Sequence, residues 1–119
     1  MHIKRMLHAA LLVTDLDRAR EFYGGALGLK EKQRHSFNFP GAWYDLGDCE
    51  LHLMVTDEAL PEAGERPQRD FHVAFLIDDF EATRRALKEA GIPFREGSSG
   101  LPQIFIRDPD GNLIELQEK

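Results

Sequence analysis

Two stretches of this chain alternate apolar and polar residues with the period of a strand, then shift to the longer period of a helix. Residues 3–13 alternate and are rich in aliphatics, which predicts a strand. Thr14 and Asp17 follow with the spacing of a capping box and open a helix. Its apolar stripe is Leu16, Ala19, Tyr23 and Ala26, and Gly28 is its stop. Three short strand candidates come next, at residues 29–37, 42–46 and 50–55. The same order returns at residue 71: a strand, the pair Asp78 and Glu81, and a helix presenting Phe80, Thr83, Leu87 and Ala90. Gly91 closes that helix, and strands are predicted at 92–95, 103–107 and 112–117. A βαβββ order thus occurs twice, as module 1 (residues 1–55) and module 2 (residues 71–119). The Pro-, Glu- and Arg-rich stretch 56–70 reads as the linker between them.

The two halves are also alike residue by residue. His8, Ala10, Leu12 and Asp15 fall over His72, Ala74, Leu76 and Asp79 at an offset of 64. Beyond the helix the offset becomes 63, which lays Gly28 over Gly91 and His52 over Glu115. One residue lost from the second helix accounts for both later matches. Turn chemistry then sets the hairpins. Asp108-Pro109-Asp110-Gly111 fits a type I turn closed by a glycine bulge, which puts Phe105 across from Glu115 and Arg107 across from Leu113. Gly47-Asp48 as a two-residue turn puts Trp43 across from His52 and Asp45 across from Glu50.

The chemistry lies in the polar residues that interrupt these strands. His8, His52, His72 and Glu115 each stand between aliphatic neighbours, so period two turns them to the opposite face from the core. Ala10 and Ala74, next on that face, leave room for a ligand. A lone strand histidine is commonly a hydrogen-bonded core residue, and a lone strand glutamate commonly faces water. The repeat changes that weighing, because it supplies the four as two matched pairs. Neutral imidazoles and a carboxylate suit a divalent metal, which offsets the cost of burying the charge. Glu50 shares the parity of His52 and is a reserve carboxylate, as ligand, base or solvated edge residue. Trp43 and Phe105 are candidate walls of a substrate pocket, and Arg107 and Arg34 candidate holders of an anionic group. His2 and His35 read as surface residues.

Composition narrows the partners. The 119 residues carry a formal net charge of -6, with 42% apolar and 30% charged residues, so a soluble globular domain without a cationic face for nucleic acid or an anionic membrane is expected. There is no apolar run of about 20 residues to span a bilayer and no secretory signal, which points to the cytoplasm. Cys49 is the sole cysteine, so neither a disulfide framework nor a cysteine-based zinc site is available.

Taken together, the paired βαβββ modules, His8-x-Ala10-x-Leu12-x-x-x-Leu16, Phe22-Tyr23 before Leu27-Gly28-Leu29, and Asp108-Pro109-Asp110-Gly111-Asn112-Leu113-Ile114-Glu115 resemble the vicinal oxygen chelate superfamily. That group contains the glyoxalases, bleomycin resistance proteins and extradiol dioxygenases. The resemblance implies an α+β fold in which two modules form a cupped half-barrel around a divalent metal, in a homodimer. It implies His8, His52, His72 and Glu115 as ligands of Zn, Ni, Co, Mn or Fe. Glyoxalase I has Glu where this chain has His52, methylmalonyl-CoA epimerases have Gln, and bleomycin-binding members lack the ligands.

The activity implied is that of a glyoxalase I-like lyase or isomerase acting on a small substrate with adjacent oxygens. An enediolate would be stabilised on the metal, with Glu115 or Glu50 as the base and a thiol such as glutathione as cosubstrate. Two alternatives stay open. One is an Fe(II) extradiol-type dioxygenase using His8, His72 and Glu115; the other is a non-enzymatic protein that sequesters a small molecule.

Overall fold

The helix starts set the frame. In the computed structural model, which describes residues 1–119, Asp15 and Asp79 take the extended backbone of an N-cap. Their side chains accept hydrogen bonds from the Arg18 and Ala82 amides, satisfying donors the first helical turn leaves free. The caps therefore lie one residue beyond the predicted Thr14 and Asp78. They open α1 (Leu16–Arg20) and α2 (Phe80–Glu89). α2 ends in a Schellman motif, with Gly91 N–H donating to the Lys88 carbonyl and Ile92 N–H to that of Leu87, and with Gly91 at φ 69°.

α1 continues into a π-helical turn, Glu21–Ala26, before Gly28 at φ 70°. Here the change of offset from 64 to 63 finds its physical cause. The first helix carries one residue more between cap and stop than the second, and the chain absorbs it as a single π turn. Leu27 N–H donates to the Phe22 carbonyl five residues back. The extra residue rotates the stripe, so that Phe22 and Tyr23 are both buried while Ala26 stays exposed. Ala90, expected on the second stripe, is exposed as well.

The strands are β1 (His8–Val13), β2 (Lys30–Lys32), β3 (Gly41–Asp45) and β4 (Glu50–Val55), then β5 (His72–Leu76), β6 (Arg95–Glu96), β7 (Gln103–Arg107) and β8 (Leu113–Gln117). They make two four-stranded mixed sheets, ordered β1-β4-β3-β2 and β5-β8-β7-β6, in an α+β fold. In each, the outer pair is parallel and the hairpins antiparallel. The sheets belong to two compact units, Met1–Ala59 and Leu60–Lys119.

Three edges differ from expectation. β1 begins at His8 rather than residue 3, because its partner strand begins at Glu50, directly opposite His8. β2 stops at Lys32, opposite Trp43, and the chain leaves the sheet beyond it. β6 begins at Arg95, after Pro93, which has no N–H to offer a ladder. The stretch expected as a plain linker contains a 3-10 turn, Ala63–Glu65, whose ends are tied by a Glu62–Glu65 capping box.

Each sheet keeps its period except at β8, where Leu113 and Glu115 on the other face are buried as well. Val13, Ala42, Tyr44, Leu51 and Leu53 are buried on the side of the first sheet that carries α1, Ala19 and Tyr23. Ile104, Ile106, Ile114 and Leu116 do the same in the second unit, with Leu87 of α2 also buried. The opposite parity, which holds the polar candidates, is the half-open face of each sheet.

Candidate metal and substrate site

The register of the parallel pair places the candidate donors identically in the two units. Ala10 lies opposite His52, and Ala74 lies opposite Glu115, so His8 and His72 each stand one step diagonally from the donor on the neighbouring strand. On the far side of that donor the hairpins set Trp43 opposite His52 and Phe105 opposite Glu115, as the turns predicted. Small residue, donor and aromatic ring thus recur in one order across three strands.

In the first unit the rings stack. The His8 and His52 centroids are 4.0 Å apart with 15° between planes, and Trp43 lies on the other face of His52 at 4.1 Å and 5°. His52 Nε2 is 2.9 Å from Glu50 Oε1. A carboxylate accepts, so the imidazole is the donor there and Nδ1 keeps its lone pair. Lys32 pairs with the other Glu50 oxygen. The His52 hydrogen bond first, and the Lys32 one next, hold the Glu50 carboxyl below the usual carboxylate range. Glu50 is thereby committed to orienting His52.

In the second unit the donors face each other. His72 Nδ1 is 2.9 Å from the Asp70 carbonyl oxygen, so Nδ1 carries a proton and Nε2 turns to Glu115, 3.4 Å from its Oε1. Glu115 is only 9% exposed, and no lysine or arginine lies within ion-pair distance of it. A proton on Nε2 or a bound cation would balance this buried carboxylate. One imidazole and one carboxylate are donor types that a divalent metal takes, and no group of three or more histidine, cysteine, aspartate or glutamate side chains comes together in the structure.

Each unit brings together one pair, His8 with His52 and His72 with Glu115. Glu50 sits beside the first pair, and Phe105 stands edge-on to His72 at 6.1 Å. Arg107 is fully engaged: Nη1 donates to Asp70 Oδ2 at 2.7 Å and to the Gly111 carbonyl at 2.9 Å, and Nη2 to the Pro67 carbonyl at 3.1 Å. Arg107 also holds the Asp70 carboxyl below its ordinary range. Its work is to tie the 66–70 segment, and with it the start of β5, to the β7–β8 hairpin. His35 is exposed, as expected, and stands edge-on to Trp43 at 5.6 Å.

Sequence reasoning overlooked the aromatic pair Phe37 and Phe39 and the part Gly41 plays. Both rings belong to a cavity of about 460 Å³ in the first unit, which His8, His52 and Trp43 also line. The signal was present as two phenylalanines at alternate positions, Phe37 at the end of a segment expected as strand and Phe39 just beyond it.

The comparisons with known proteins agree with this architecture. Residues 5–116 match the family model for the Glyoxalase/Bleomycin resistance protein/Dioxygenase superfamily, and the chain belongs to that family. Among its relatives, glyoxylase I 4 of Arabidopsis thaliana is 30% identical over 124 residues, covering 98% of this chain and 71% of its own. The lactoylglutathione lyase of Haemophilus influenzae is 30% identical, over 96% of this chain and 92% of its own. In fold, a Bacillus anthracis protein of the glyoxalase family superposes with a TM-score of 0.83 at 23% identity, covering 100% of this chain and 98% of that one. A fosfomycin resistance protein of Listeria monocytogenes does so at 0.76 and 21%, covering 99% and 93%. Such different activities on one fold leave the reaction to the site. No helix is long and apolar enough to cross a membrane.

Proposed function

We propose that the protein is a metal-dependent lyase or isomerase of the glyoxalase type, acting on a small substrate with adjacent oxygens. The residues assigned to the metal in this reading are His8, His52, His72 and Glu115. The observation that carries this is the buried Glu115 carboxylate 3.4 Å from His72 Nε2, with no lysine or arginine within ion-pair distance. Full-length relatedness to a lactoylglutathione lyase supports the reaction class.

Bound there, the metal supplies Lewis-acid polarisation of the two substrate oxygens. The protein's own groups handle the proton. Glu115, unpaired by any lysine or arginine, would serve as the base once off the cation, taking the proton from the carbon beside the polarised carbonyl and returning it to the neighbouring carbon. Glu50, with both oxygens engaged by His52 and Lys32, orients the His52 ring rather than accepting a proton. The Asp70 carbonyl does the corresponding work for His72.

Elemental analysis of purified wild type, His8→Ala and Glu115→Ala, paired with turnover of methylglyoxal–thiol hemithioacetals, tests the reading. Stoichiometric metal in the wild type, lost at least tenfold in both variants together with activity, is the expected result. Equal metal content in all three proteins overturns it. A metal-loaded wild type inert towards hemithioacetals, yet consuming oxygen with catechols, replaces the lyase with an iron oxygenase.

A further inference from the structure

The cavity of the first unit is walled by rings on several sides. Trp43 stacks on His52, the Phe37 ring is 6.0 Å from Trp43, and Phe37 and Phe39 stack on each other at 5.4 Å. Into this apolar lining comes one arginine. The Arg34 guanidinium lies 4.9 Å from the Phe37 ring centre and 5.2 Å from that of Phe39. Nη2 donates to the Phe39 carbonyl at 3.0 Å, and no carboxylate stands within ion-pair distance. Nε is buried without any hydrogen-bond partner, as Arg84 Nε is, and is out of reach of the cavity, while Nη1 donates to no protein group. By contrast Arg20, Arg66, Arg84 and Arg107 each have an acidic partner.

The fold makes room for this side chain. A Cβ on Gly41 would sit 3.3 Å from Arg34 Nη2 and 2.3 Å from the Leu53 carbonyl oxygen, so the guanidinium packs flat over bare backbone. A permanent cation on the cavity wall, with no carboxylate beside it and Nη1 not spent on the protein, favours an anion as its partner. The other ionised group lining the cavity, Glu50, is satisfied by Lys32 and His52 and repels any second negative charge at that end. The size, about 460 Å³, suits a small molecule.

We infer that this cavity takes a flat, mostly apolar monoanion of the aryl carboxylate class, its ring against Trp43 and Phe37 and its carboxylate on Arg34. The identification of this ligand class with the substrate rests on the function proposed above, since His8 and His52 line the same cavity. A polar conjugate with two carboxylates fits poorly, because one arginine serves one anion and the rings serve none.

Trp43 is the sole tryptophan, so its fluorescence reports on this cavity directly. Full-length protein, both metal-loaded and stripped with chelator, is titrated with phenylacetate and with the neutral isostere phenylacetamide. Saturable quenching by phenylacetate in both preparations is expected, with phenylacetamide at least tenfold weaker. Arg34→Met should lose tenfold or more for the acid and nothing for the amide, and Arg34→Lys should fall between. Equal affinity for acid and amide, no saturation by the acid, or unchanged binding in R34M each overturns the inference. Quenching that vanishes with the metal also overturns it, since the carboxylate is then on the cation. Metal content measured on the same samples keeps the two ideas apart. Metal retained without acid selectivity sinks only the Arg34 site; acid selectivity without metal sinks only the metal enzyme.

Discussion

Replacing Asp108 with alanine should cost about 2–4 kcal/mol, and the turn shows why. Asp108 is buried, and its carboxylate accepts from the Asp110 amide at 2.9 Å, the Asn112 amide at 2.8 Å and Asn112 Nδ2 at 2.9 Å. Two flanking backbone bonds, Asp108 N–H to the Asn112 carbonyl and Gly111 N–H to the Asp108 carbonyl, close the same loop. Hydrogen bonds to a charged acceptor contribute roughly 1.5–3 kcal/mol each, but donors in a turn recover water when the acceptor goes, so the sum is well below three full bonds. Asp108→Asn keeps one acceptor oxygen and should lose about 1 kcal/mol. The measurement is urea unfolding followed by far-UV circular dichroism. Tryptophan and tyrosine fluorescence is unsuitable, because Trp43, Tyr23 and Tyr44 all lie in the first unit. With urea slopes of about 1–3 kcal/mol/M, the midpoint of D108A should fall by roughly 1 M or more at unchanged slope. A shift worth less than about 0.5 kcal/mol refutes the idea that this carboxylate organises the turn. The register at stake puts Phe105 opposite Glu115, and a slip of one residue would turn Glu115 to the helix side.

Other expectations are simpler. Asp79→Ala removes the α2 cap and should cost about 1 kcal/mol by the same urea assay. Gly41→Ala drives a Cβ to 2.3 Å from the Leu53 carbonyl and should cost about 1–3 kcal/mol while also weakening phenylacetate binding through Arg34. Tyr44→Phe deletes a buried hydroxyl that has no hydrogen-bond partner, and should leave stability at pH 7 unchanged or raise it by up to about 1 kcal/mol. Burial first, and the Glu31 charge next, raise the Tyr44 phenol above its ordinary value. The unfolded chain therefore loses that proton before the folded one, and stability falls as pH climbs above about 10. Y44F should flatten this alkaline decline in thermal-melting series, and an identical slope in the two proteins would count against it.

Legibility in the sequence followed the range of the forces involved. Strand parity, glycine stops and hairpin turns depend on a few neighbouring residues, so both hairpin registers and the twofold βαβββ order could be read directly. Helix caps are local too, yet Thr14 and Asp15, like Asp78 and Asp79, are adjacent competitors. Only the backbone, extended up to Asp15 and Asp79, chose between them. The offset of one residue between the halves was visible as arithmetic. That it is spent as a π turn, burying Phe22 beside Tyr23, depends on what the sheet beneath can accept.

Side-chain partners belong to the tertiary structure. The pairing of His8 with His52, and of His72 with Glu115, follows from parallel strands far apart in the chain. The fates of the two arginines were not announced. Arg107 and Arg34 are alike in sequence, each a cation beside aromatic residues. Folding brings Asp70, 37 residues away, against Arg107 and neutralises it, whereas Arg34 meets two phenyl rings and a glycine backbone and keeps its charge unpaired. A charge's partners are set by through-space contacts that local periodicity does not encode. The sequence by itself therefore determined the duplicated scaffold and its hairpin registers, and only the packed structure decided what each arginine meets.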